Sequence, residues 1–225
     1  EMENSSAAPL YTVTPKFLQD SLSFLRRHYA LVSLEDVLLS RNGQKALPRF
    51  AALITFDDGW QDNLSFAASV LHGIPWTVFV ASDALSAPEY WWQEVLEWAM
   101  RTGAASQQQL WELASLHGAS DSTPADEEDP HALLIRYGKL STEDRERALT
   151  DFHNSLRRKG IPRHMLTSRD LTTLHEAGAS IGCHGASHLP LPFLQDADED
   201  IRRARDVLMT PADPLSGKAM SFPHG

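Results

Sequence analysis

The chain has 225 residues, 42% of them hydrophobic, enough to bury a substantial core, and it contains no internal repeat and no apolar stretch of membrane-spanning length. Thirty acidic residues against 20 lysines and arginines leave a net charge of -10, which argues against a nucleic acid or an anionic membrane surface as partner. The single cysteine, Cys183, excludes an internal disulfide.

Residues 51–56 form a short apolar run, rich in β-branched and aromatic side chains and bounded by Pro48 and Gly59, and read as a buried strand. Asp57 and Asp58 sit at its C-terminal tip. Neighbours in a regular strand point to opposite faces, so both carboxylates reach one site only if the chain turns there, as Gly59 permits. A helix comes next, capped by Asp62 or Asn63, with Leu64, Ala67, Ala68 and Leu71 at helical spacing and Gly73 past its end. Residues 74–80 read as a second buried strand, so the segment is a βαβ unit with a parallel sheet, in which strand tips carry chemistry. Taken alone, Asp-Asp-Gly also fits a solvated turn.

Between about residues 93 and 160 the pattern is helical. Ser106 caps a helix over 107–116, and Ser141 with Asp144 forms a capping box before 145–159. The stretch 121–130 is acidic and proline-punctuated, a solvated loop or the wall of a substrate groove. Thr167 to Asp170 is another capping box, Leu171, Leu174 and Ala177 are helix-spaced, and Gly178 ends that helix before a short strand over 179–183. His184 and His188 therefore lie at and beyond a second strand tip. Two neutral imidazoles and a carboxylate hold a divalent metal with open positions for water, and a second carboxylate is free to take that water's proton. The last helix, about 197–209, shows a charged face from Asp198 to Arg205 that most simply faces water.

Other residues have two readings. Cys183 is a small core residue, because strand alternation points it away from His184. Tyr90, Trp91 and Trp92 stack a sugar ring or pack with Trp98 in a core, and Trp60 beside the carboxylates is open to the same two readings. His224 is open to a ligand or acid role. His28, His72, His117, His131, His153, His164 and His175 read as structural or solvated.

The ordered segments LITFDDGWQDN, GIPWTVFVAS, LTSRDLTTLHEAGASIGCHGASH and SFPHG resemble the successive motifs of the polysaccharide deacetylases, the NodB-homology or carbohydrate esterase family 4 domain. The resemblance covers roughly residues 48–92 and 160–225, with a weaker echo from Tyr11 to residue 39. It implies an α/β fold, an irregular (β/α)7 barrel, within one domain over 1–225 carrying a helical insertion at about 93–160. It implies Asp57 as general base and Asp58, His184 and His188 as ligands of a divalent metal, zinc first and cobalt, nickel or manganese as alternatives. Pro223, His224 and Gly225 would wall the groove, with the His224 N–H binding the developing oxyanion. The implied reaction is deacetylation of N-acetylated sugar units of a glycan in the cell envelope or outside the cell. Alternatives are an O-acetyl esterase, a deformylase on a lipid-linked sugar, or a glycan-binding module without turnover.

The family's first strand, its general-acid histidine and its tryptophan motif have no counterpart in these 225 residues. The chain is therefore expected to be a fragment whose barrel a companion segment or chain completes. Ser221 stands where many members carry an arginine paired with the base.

Overall fold

The computed structural model describes residues 13–87, 89–119, 130–209 and 216–224. Tyr11, the acidic stretch 121–129 and Gly225 lie outside the described residues.

Helix α1 (Pro15–His28) starts at Thr14, whose hydroxyl accepts from the Phe17 N–H, and leads into strand β1 (Ala30–Leu31) and helix α2 (Leu34–Arg41). The strand expected over 51–56 is realised as two short segments, β2 (Ala51–Ala52) and β3 (Thr55–Phe56). The reason is a change of partner: β2 pairs with β1, and β3 pairs with β4 (Trp76–Val80). The backbone keeps bonding across the switch, with Val32 N–H donating to Ala52 O at 3.0 Å and Thr77 N–H to Ile54 O at 2.9 Å. Strand β4 is buried along its whole length, Thr77 included, as expected of a buried strand, and pairs in parallel with β5 (Ala179–Cys183). Beyond β5, Cys183 N–H donates to Ala219 O and Ser221 N–H to Cys183 O, so residues 219–221 add a further parallel neighbour. Each parallel neighbour is thus the next one along the chain, and the C-terminal tips all open toward one end.

The helix after β3 departs from expectation. Asp62 has helical backbone angles and makes no side-chain cap bond; the first turn is closed by Gln61 O, which accepts from both Leu64 and Ser65 N–H. A π-helical turn over Asn63–Ala67 leads into α3 (Ala68–Val70), and the chain leaves through Gly73 at φ +75°. Such wide turns recur beside functional sites.

After α4 (Ser82–Ser86) the region expected to be helical contains α5 (Trp92–Arg101), α6 (Gln107–Leu116), α7 (Pro130–Gly138) and α8 (Thr142–Lys159), with the Ser106 and Ser141 caps in place. Its core, built from Trp91, Leu96, Trp98, Leu110, Leu133, Tyr137 and Leu149, is separate from the one around the sheet. The sheet core joins Trp76, Val78, Val80 and Ile181 to helix α9 (Ser168–Glu176) and helix α10 (Ala197–Leu208). Among the described residues, no helix is long and apolar enough to cross a membrane.

Arg163 ties these regions together. Its guanidinium donates to the carbonyls of Ala84, Ala87, Glu89, Met165 and Leu166, joining the end of α4 to the extended segment before α9. Arg163→Met is expected to lower the unfolding free energy by about 3 kcal/mol, read by urea denaturation, because part-buried acceptors lose a charged donor. Arg163→Lys should recover only part of this, since an ammonium lacks the planar fork.

Candidate metal centre

The tip of β3 shows how two adjacent carboxylates come to differ. Asp58 and Gly59 both take left-handed backbone angles, at φ +71° and +92°, which turns the chain directly after Asp57. Gly59 is favoured by contact as well as conformation: a Cβ there would lie 3.0 Å from Val80 Cγ1, so Val80 would have to give way. Among the described residues four non-glycine residues have positive φ, and three of them, Asp58, His188 and His224, belong to this site. Each such residue stores strain of about 1–3 kcal/mol, which persists only where surrounding contacts impose it.

His184 leaves the tip of β5 with its N–H on Val80 O, and its Nε2 lies 3.3 Å from Asp58 Oδ1. His188 Nε2 lies 3.0 Å from the same oxygen. One ligand atom from each of Asp58, His184 and His188 falls within 4.8 Å of the others. Both imidazoles are buried, and the Trp60 indole N–H donates to the other Asp58 oxygen at 3.0 Å. Each remaining ring nitrogen meets an oxygen: His184 Nδ1 lies 2.9 Å from Ser221 O, and His188 Nδ1 lies 2.6 Å from Gln93 Oε1. These acceptors place the ring hydrogen on Nδ1 and turn both Nε2 lone pairs toward the carboxylate.

Three electron-rich atoms converging this closely repel one another unless a proton or a cation lies between them. Burial disfavours charge on Asp58, but hydrogen bonds from His184 and His188, the charge of His188 and the Trp60 indole outweigh it and hold the carboxyl far below its usual range. Burial likewise opposes the imidazolium of His184, yet the hydrogen bond and charge of Asp58, with the charge of Asp57 and the Ser221 carbonyl, raise its pKa. A divalent cation answers the same demand more strongly. Two nitrogens and one carboxylate suit zinc, and the edge of a tetrahedron around an ion with ligands at about 2.0–2.1 Å is about 3.3 Å, close to the two separations from Asp58 Oδ1.

Asp57 stands outside this group. It is exposed, and its side chain accepts from the Ser221 hydroxyl, which donates to Oδ2 at 3.4 Å. Pro223 is buried, while the His224 side chain is exposed with its ring 4.7 Å from that of His188. Trp60 is half-buried. Trp91 and Trp92 are only 3% and 7% exposed, which leaves no open ring face for a sugar. Trp91 heads α5 and packs against the His188 ring at 5.6 Å, and Trp92 lies beneath the Arg145 guanidinium, so their burial fits core packing. Cys183 is buried, and burial pushes its thiol up. Gly225 is outside the described residues.

Two residues that matter to the site belong to none of the sequence motifs. Gln93 reaches His188 only through the packing of α5. Asp200, on the helix face expected to meet water, is 6% exposed and accepts from Ala186 N–H at 2.7 Å and Ser187 N–H at 3.0 Å, so it pins the loop between the two histidines. Its position was legible in the i, i+4, i+8 spacing with Ala204 and Leu208, which are also buried and make the inner stripe of α10. Asp200→Asn keeps the shape but turns one acceptor into a donor facing an N–H. It is expected to cost about 2–3 kcal/mol of stability in chemical denaturation of the ion-free protein.

No family model matches the chain, and no match was found among curated proteins. Among solved structures the chain is similar to the BpsB deacetylase domain from Bordetella bronchiseptica, at 13% sequence identity and a TM-score of 0.49 over 96% of this chain and 72% of that one.

Proposed function

We propose that this protein is a metal-dependent carbohydrate deacetylase of the polysaccharide deacetylase type, acting on N-acetylated sugar units of a glycan. The observation that carries the reading is the convergence of Asp58, His184 and His188 from two separate strand tips, with both imidazoles held by outer hydrogen bonds in the ligating orientation. In this reading the parallel neighbours are consecutive staves of an irregular (β/α)7 barrel, and helices α5 to α8 are an insertion on its catalytic end.

A divalent ion bound by these three residues would polarise an acetyl carbonyl and lower the pKa of a bound water to about 7. The chain's own residues hold the base and the oxyanion. Asp57, next to the ligand Asp58 but outside the ligand set, takes the proton of the attacking water and carries it for return to the departing amine nitrogen as the C–N bond breaks. The Ser221 hydroxyl, where family members often have an arginine, donates to Asp57 and orients it without a permanent positive charge. The His224 N–H donates to the oxygen of the tetrahedral intermediate, and loss of such a donor typically costs about a hundredfold or more in rate. Pro223 and the half-buried Trp60 wall the groove.

The test is acetate release from chitin oligomers and other N-acetylated glycans by protein loaded in turn with zinc, cobalt, nickel or manganese, with ion stoichiometry measured on the same samples. One ion per chain and ion-dependent release are expected. Stoichiometric ion with no acetate from any acetylated glycan would overturn the reading.

A further inference from the structure

The two histidines are anchored differently. His184 Nδ1 meets the main-chain carbonyl of Ser221, an acceptor that no side-chain replacement removes. His188 Nδ1 meets a side chain, Gln93, and that side chain belongs to the first turn of α5. Gln93 is 6% exposed and His188 8%, so water does not substitute freely for either partner. The amide oxygen faces the ring at 2.6 Å while the amide nitrogen points to Ser187 O at 3.4 Å, an orientation in which Gln93 accepts from the imidazole. Had the amide the opposite sense, the ring hydrogen would sit on Nε2 and His188 could not ligate through it.

The helix bearing Gln93 is itself braced. Glu94 accepts from the N–H groups of Trp91 at 3.3 Å and His164 at 2.6 Å, the Tyr90 hydroxyl donates to Ile161 O at 2.6 Å, and the Trp91 ring packs on His188.

We propose that Gln93 is a positioning residue for the metal centre: its amide oxygen sets the tautomer and ring orientation of His188, which makes α5 an integral part of the ion site. The inference rests on the metal-binding reading above. A neutral acceptor orients the ring without adding charge, whereas a carboxylate there would also raise ligand basicity; partners of this kind typically change ion affinity about 10–100-fold when removed.

The experiment compares wild type, Gln93→Ala and Gln93→Glu by zinc competition titration, by thermal unfolding of the ion-free proteins and by long-range proton–nitrogen NMR of His188. Gln93→Ala should weaken zinc binding about 10–100-fold, with His188 losing its single tautomer. Gln93→Glu, which can only accept above its own pKa, should restore both at pH 7.5. Equal zinc affinity in Gln93→Ala and wild type overturns the proposal, as does an equal loss in both variants. If Gln93 merely fills space, the ion-free melting temperature falls while affinity stays unchanged. If wild type binds no zinc, the ligand set itself fails and this inference falls with it; if wild type binds and the variants do not differ, only the role of Gln93 is refuted.

Discussion

Asp58→Asn should empty the metal centre. The substitution keeps the size of the side chain and the reach to Trp60, but withdraws the negative charge on which two buried imidazoles converge. Removing one member of a buried charged cluster costs about 3–5 kcal/mol, so ion affinity should drop at least about a hundredfold and acetate release with it. The pH dependence has a definite sign. His184 has a folded pKa raised above its ordinary 6.5, so its contribution to stability is present in full below that value and is lost as pH climbs through the folded one. Asp58 has a folded pKa lowered from 3.8, so its contribution is present above that value and is lost only as pH falls through the folded one. The ion-free wild type should therefore exceed Asp58→Asn most between roughly pH 4 and 6.5, and the gap should narrow on the alkaline side. Ion affinity moves oppositely, rising with pH as the proton held by the cluster leaves. Melting temperatures of both ion-free proteins from pH 4 to 9, beside zinc titrations, measure all of this; parallel curves would refute the assignment of the coupled cluster.

Asp57→Asn should give the complementary result, full ion content with little turnover. Asp57 is exposed, bonds only weakly to Ser221 and contributes no atom to the converging group, so its amide should leave ion stoichiometry unchanged. In the proposed role of base it should account for about 10²–10⁴-fold in rate, seen in kcat rather than in KM. Unchanged kcat would remove Asp57 from the chemistry. Loss of the ion would make it a ligand.

The contrast between these adjacent aspartates was only half visible in the sequence. An apolar run ending in Asp-Asp-Gly announces a strand tip with two carboxylates and a turn, because burial, β-propensity and glycine's freedom act within a few residues. The different placement of the two carboxylates arises from Asp58 itself entering the left-handed region, which the residue after β4 and the segment before α9 hold in place: Ala81 N–H donates to Asp58 O, and Leu166 N–H donates to Gly59 O. The same holds for the strand over 51–56. Its apolar character was legible, but its exchange of β1 for β4 as partner at Leu53 and Ile54 depends on where those strands lie.

Caps, apolar runs and histidine spacing are local properties, written in stretches short enough for one sequence to determine: the capping boxes at Ser106 and Thr167, the buried strand β4, and the tip that carries His184 and His188. Tertiary structure alone decided which distant groups complete the site. Gln93 reaches His188 across 95 positions of chain, and Trp91 and Trp92 became core because helices α5 to α8 packed around them. The physical reason is range: helix and strand preferences are settled by neighbours a few residues apart, whereas the partner of a ring nitrogen is whatever the packed chain brings within hydrogen-bonding distance.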